Sequence, residues 1–162
     1  MVKAGRQSDI LDRAALDAAL AASAWRPGEG GKRAEALALC KGFLARGRAE
    51  LESRLDAGAR GGALVAGYTF LTDGILHAVY DHAASRIFAE PNPTSGARLS
   101  LIAVGGYGRA ELSPHSDIDL LFLHPWKLTA RNEQVVEYVL YMLWDMGLKV
   151  GQATRSINDC LA

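Results

Sequence analysis

Apolar and polar positions along this chain recur with two different periods, and the change falls near Pro91. Before it, apolar residues return every three to four positions in alanine-rich sequence, the spacing of one helix face. Ser8 and Asp9 are candidate N-caps for a helix reaching about Leu20, and Arg26-Pro27-Gly28-Glu29-Gly30-Gly31 breaks it. Leu37, Leu44, Leu51 and Leu55 predict a second helix from about Lys32 to Asp56, interrupted by Gly58, Gly61 and Gly62. A third, about Ala63 to Phe88, puts Leu64, Tyr68, Leu71, Ile75, Val79 and Ala83 on one stripe. None of the three carries a chemical motif, so they read as a packing layer, with a surface for a protein partner as the alternative.

Glu90 to Gly96 holds two prolines and a glycine and predicts a turn-rich connection. Leu99–Val104 and Asp117–Leu123 then read as buried strands. Glu133–Met146 reads as a helix, with Val136, Val139, Leu140 and Leu143 on its stripe and Gly147 as its stop. Leu148–Thr154 is a candidate third strand. The order predicts an α/β (α+β) fold: a helical region over 1–90, then a domain over 91–162 with a small mixed sheet flanked by helices, incomplete at its C-terminal end.

Composition adds mainly exclusions. A chain of 162 residues suffices for one domain, and 49% hydrophobic with 22% charged residues is ordinary for a globular protein. Eighteen basic and eighteen acidic side chains cancel, which leaves no electrostatic footprint for nucleic acid or an anionic membrane. Cys40 and Cys160 lack metal-ligand spacing and are expected to be reduced, buried thiols. No apolar run approaches the roughly 18 residues of a membrane span, and the N-terminus does not read as a signal peptide, so a cytoplasmic location is expected.

The chemistry gathers in Val104–Leu123, VGGYGRAELSPHSDIDLLFL. An apolar strand empties into Gly105-Gly106-Tyr107-Gly108, where the missing side chains let backbone N–H groups approach an anion such as phosphate. No Gly-Lys-Ser/Thr follows, so this is not a Walker A loop. Asp117 and Asp119 flank Ile118 at the head of the next strand, and residues two apart face the same way. Two carboxylates so placed repel unless a cation lies between them, and hard oxygen ligands suit Mg²⁺. Alone, Asp-x-Asp reads better as a turn cap and a solvent-facing residue than as a metal site. Next to the glycine stretch, with only Arg109–Ser116 between, it puts phosphate donors opposite metal ligands. Ser116 is a candidate phosphate donor. Arg109 is a candidate to offset charge on a leaving pyrophosphate, or else to pair with Glu111. Tyr141 and Trp144 read as core residues, His77 and His82 lack companion ligands, and His115 reads as a loop histidine, with nucleotide contact as the alternative.

Gly105-Gly106 followed by Asp117-x-Asp119 resembles the signature of the DNA-polymerase-β-like nucleotidyltransferase superfamily. The fuller string, with Asn92-Pro93-Thr94 before it and EQVVEYVLYMLWDMGLKVGQATRSINDC after it, resembles the PII-protein uridylyltransferase / uridylyl-removing enzymes of bacterial nitrogen control. The resemblance covers about Asp73 to the C-terminus. It implies a partial nucleotidyltransferase domain that passes UMP from UTP to a tyrosine of the PII signalling protein and releases pyrophosphate. It also implies that Gly105 and Gly106 hold the triphosphate while Asp117 and Asp119 hold Mg²⁺. The superfamily's third carboxylate has no clear counterpart here; Asp145 and Asp159 are the nearby acids, and Asp145 reads better as a structural or capping residue. The competing readings are an adenylyltransferase of the glutamine-synthetase type and a non-catalytic nucleotide-binding module.

Overall fold

A computed structural model describes residues 5–23 and 30–162. The break expected at Arg26–Gly31 lies mostly outside those residues. The single helix expected through Leu20 is instead two, α1 (Gln7–Ile10) and α2 (Arg13–Ala22). Ile10 and Leu11, both 4% exposed, stand at the split. Leu11 is extended (φ −151°), and Asp12, rather than Ser8 or Asp9, caps α2 by accepting from the Ala15 N–H at 3.0 Å.

The two long helices appear as expected, α3 over Gly30–Asp56 and α4 over Gly61–His82, the latter continuing as a π-helical turn, Ala83–Ile87. Leu44, Leu51, Leu71, Ile75, Val79 and Ala83 are buried, but Leu55 is exposed at the last turn of α3. Glycines let α3 and α4 approach closely: a Cβ on Gly67 would lie 2.4 Å from Leu51 Cδ2, and one on Gly47 would lie 2.4 Å from Leu71 Cδ1. Contrary to the sequence expectation, the continuous segment 61–87 is long and apolar enough to span a membrane by length and composition. Here it packs against α2, α3 and the later helix α6, burying eight residues between Gly67 and His82.

Three strands follow: β1 (Ser100–Ala103), β2 (Ile118–His124) and β3 (Val150–Ser156). They form a mixed sheet in the order β1-β2-β3, with β1 antiparallel and β3 parallel to the central β2. Between β1 and β2 sits a four-residue helical turn, α5 (Gly105–Gly108). The parallel β2–β3 pair is joined by α6 (Ala130–Asp145), whose first turn is capped by the Thr129 hydroxyl oxygen accepting from the Asn132 N–H. Gly147, at φ +79°, ends it as expected. A last turn, α7 (Ile157–Leu161), follows β3.

Along β2, Ile118, Leu120, Phe122 and His124 are buried and alternate with half-buried residues, the period expected of a strand with one face on the core. Val135, Val136, Val139, Leu140 and Leu143 bury the matching face of α6. Tyr141 and Trp144 do not join them. They are 53% and 45% exposed and stand edge to face, because their positions fall on the flank beside the buried stripe. Cys40 is buried, which pushes its thiol up to about 12, but Cys160 on α7 is exposed, contrary to expectation. One cluster of buried apolar residues runs from Ile10 to Met146, across the change of element type at Pro91. Arg131 of α6 ties the same two parts together by donating to the Ala84 and Phe88 carbonyls at the π-helical turn.

Candidate functional site

β1 ends beside β2, where the Val104 N–H donates to the Asp119 carbonyl at 3.0 Å. The chain then turns sharply. Gly105 takes φ +61°, a region that disfavours any side chain, and the glycine stretch winds into the α5 turn rather than an open loop. A Cβ on Gly108 would lie 2.7 Å from the Ala103 carbonyl oxygen, so this turn folds back tightly on the strand it leaves.

Helix α4 fixes the turn from below. Tyr107 is buried at 3% exposure, and its hydroxyl donates to the Asp73 carboxylate. Burial first, and then this hydrogen bond, hold the Tyr107 phenol well above its ordinary pKa, so it stays a donor. Thr69, one helical turn earlier, makes a second tie: its hydroxyl lies 3.1 Å from the Ala110 carbonyl and accepts from the Leu112 N–H at 3.4 Å. Between these ties Ala110 is held at φ +58°, an uncommon conformation for a residue with a side chain. Neither Thr69 nor Asp73 was singled out in sequence. Their partners lie 41 and 34 residues away, and nothing local marks them.

The two aspartates sit at the mouth of this arrangement. Asp119 lies in β2 and is half-buried, while Asp117 is exposed one residue before the strand begins, rather than on it as expected. The Asp119 carboxylate is wedged between two glycines. A Cβ on Gly105 would lie 2.9 Å from Asp119 Oδ2, and one on Gly151 would lie 2.6 Å from Asp119 Oδ1. Gly151 is the register partner of Asp119 across the parallel β2–β3 pair. Among the described residues no hydrogen bond or ion pair engages either carboxylate. A half-buried carboxylate with no protein donor is costly to keep charged unless a cation or water satisfies it.

Other expected participants are placed less directly. Arg109 donates to Glu111 at 2.9 Å and to the Gly105 carbonyl at 3.1 Å, so its guanidinium stands over the entrance to the turn in an exposed pair. Ser116 turns its oxygen to the Ser113 N–H at 3.0 Å. Asp145 pairs with Arg33 at 2.7 Å, in the structural role expected for it, and Asp159 closes a capping box with Ser156 at the start of α7. Among the described residues no group of three or more His, Cys, Asp or Glu converges on one point. The donor set is therefore two carboxylates at a glycine-lined turn. That set fits Mg²⁺, which binds through one or two carboxylates and takes its remaining ligands from water and phosphate.

Comparison with known proteins places the whole stretch within one family. A profile of the glutamate-ammonia ligase adenylyltransferase family matches residues 62–142, from α4 through α6. Among curated relatives, the bifunctional uridylyltransferase/uridylyl-removing enzyme of Azospirillum brasilense is 49% identical over 153 residues, 94% of this chain and 16% of that protein. The enzyme of the same name from Rhodospirillum rubrum is 50% identical over 131 residues, 80% of this chain and 14% of that protein. The one from Caulobacter vibrioides is 46% identical over 158 residues, 96% of this chain and 17% of that protein. This chain thus spans about a sixth of the length of these relatives, and the likeness includes the N-terminal helices as well as the stretch from Asp73. No solved structure matched the chain.

Proposed function

We propose that this chain, which belongs to the family described by the glutamate-ammonia ligase adenylyltransferase profile and is similar to bifunctional uridylyltransferase/uridylyl-removing enzymes, carries the triphosphate- and metal-binding half of a uridylyl-transfer site. The observation that carries the reading is the Asp119 carboxylate, free of protein donors and pressed between Gly105 and Gly151 at the head of the glycine turn.

In this reading the substrate is UTP, and the acceptor is a tyrosine of the PII signalling protein. Gly105 and Gly106 bring backbone to the triphosphate without a side chain in the way, and the positive φ of Gly105 aims the turn. Asp117 and Asp119 would hold Mg²⁺, which when bound offsets charge on the triphosphate and on the leaving pyrophosphate. The Arg109–Glu111 pair is exposed and therefore weak, so the guanidinium can exchange Glu111 for a phosphate oxygen. Ser116 offers a hydroxyl beside Asp117. The Tyr107–Asp73 and Thr69 ties keep the turn rigid, which is what in-line transfer asks of a binding group.

The family profile itself raises adenylyl transfer as the second reading. The likeness to uridylyltransferases over most of this chain and the run Gly106-Tyr107-Gly108-Arg109-x-Glu111-Leu112 favour the first. The test is transfer of label from α-labelled UTP or ATP to a PII-type acceptor, by a chain extended to the relatives' length. Mg²⁺-dependent labelling from UTP, lost in Asp117→Asn and Asp119→Asn variants of unchanged fold, is the expected result. Appreciable activity in Asp119→Asn would overturn the assignment.

A further inference from the structure

A second cleft, of about 140 Å³, opens where α3 and α4 meet the segment leading into β2 and the turn leading into β3. Several times the roughly 30 Å³ share of one water, it has room for a small organic molecule. Ile118 lines it, and Ile118 points to the opposite side of β2 from Asp119. Asp117, Asp119 and Gly105 are not among its walls; of the residues given a role above only Ser116 reaches it, so the two sites adjoin at Ser116 on opposite faces of β2.

Its chemistry is one-sided. Two cationic side chains and an imidazole converge from three elements: Arg48 from α3, Lys149 from the turn before β3, and His115 from the segment before β2. Among the described residues none of the three is in an ion pair or hydrogen bond, and no carboxylate lines the cleft. Glu52 lies one turn along α3 from Arg48; both act on the Tyr68 hydroxyl, in opposite directions, and burial outweighs either. Tyr68 and Thr72 add hydroxyl donors, and Leu44, Leu71 and Leu148 supply an apolar floor. Unpaired cations and hydroxyls around an apolar floor are the lining of a site for an oxyanion with a short carbon body.

We propose that this cleft is a second ligand site that takes a small organic anion, carrying a carboxylate or a phosphate, with its charge among Arg48, His115 and Lys149 and its carbon body on the leucine floor. The helical layer and the sheet domain both contribute walls, so an occupant bridges them at the segment that ends in Ser116 and Asp117.

The test is titration of the ¹⁵N-labelled chain with succinate and with inorganic phosphate, without Mg²⁺, against sodium chloride of equal ionic strength. Saturable amide shifts confined to Ser113–Ser116 and Leu148–Lys149, half-complete at about 1–10 mM, are expected with at least one probe. A preference for succinate assigns a carboxylate, and one for phosphate assigns a phosphate ester. Arg48→Gln with Lys149→Gln, the first half-buried and the second exposed, should weaken binding at least about tenfold while leaving the remaining spectrum unchanged. Asp117→Asn with Asp119→Asn should leave it intact, which separates this site from the metal site. Shifts no larger than those with chloride, or undiminished in the Arg48/Lys149 variant, would overturn the proposal.

Discussion

Gly151 is the sharpest place to perturb the candidate site, because it touches Asp119 and nothing else there. A Cβ at position 151 would lie 2.6 Å from Asp119 Oδ1, and a relaxed C···O contact is about 3.3 Å, so Gly151→Ala must move the carboxylate by about 0.7 Å. The way out is toward Gly105, whose missing side chain leaves open the space beside the other oxygen. Turning the side chain about 30° off its rotamer costs about 0.5–1.5 kcal/mol. Replacing a strand glycine by alanine returns about 0.5–1 kcal/mol of backbone entropy. The two nearly cancel, so thermal unfolding followed by circular dichroism should shift by no more than about 3 °C. Ligand geometry has no such compensation. Misplacing a reacting group by about 1 Å can cost about a hundredfold, so a shift of this size should weaken Mg²⁺-dependent nucleotide binding about ten- to a hundredfold by calorimetry. A Gly151→Ala chain that binds Mg²⁺ and UTP as tightly as the parent would show that the carboxylate is free to move or holds no metal.

Two further outcomes follow from the core. Tyr107→Phe keeps the buried ring but removes the donor to Asp73, and should cost about 1–3 kcal/mol in urea unfolding; an unchanged midpoint would show that the tie between α4 and the glycine turn is not stabilising. His82 is buried with no hydrogen-bond partner on either ring nitrogen, and burial first, then Arg86, lower its pKa. The unfolded chain therefore takes up this proton first, so stability should fall as pH drops below about 6.5 and keep falling until the lower folded-state pKa is reached. His82→Leu should flatten that part of the pH–stability curve, and an unaltered slope would refute the assignment.

The parts of this molecule that were legible in the sequence are those set by local periodicity. The stripes Leu71/Ile75/Val79 and Val136/Val139/Leu140/Leu143 named two helices, and alternation around Ile118 and Leu120 named the central strand. Asp119 and Gly105 could be singled out because a short connection forces their strands together, and the structure does place them in contact. Features that depend on pairing between distant segments were silent. Gly151 matters only because the parallel register sets it opposite Asp119, a fact of β2–β3 pairing. Thr69 and Asp73 look like ordinary helix residues until α5 packs on them. Periodicity misled at the first helix: α1 ends at Ile10 and Leu11 turns extended into the core, with no proline or glycine to announce it. Tyr141 and Trp144, aromatic next to a buried stripe, lie just outside its edge.

The most direct test of the central claim is calorimetric titration of this chain with UTP and with ATP, with and without Mg²⁺, beside an Asp117→Asn/Asp119→Asn variant. The account predicts binding of UTP that requires Mg²⁺, exceeds that of ATP and disappears in the variant. Binding that persists without Mg²⁺, or survives loss of both carboxylates, would contradict it.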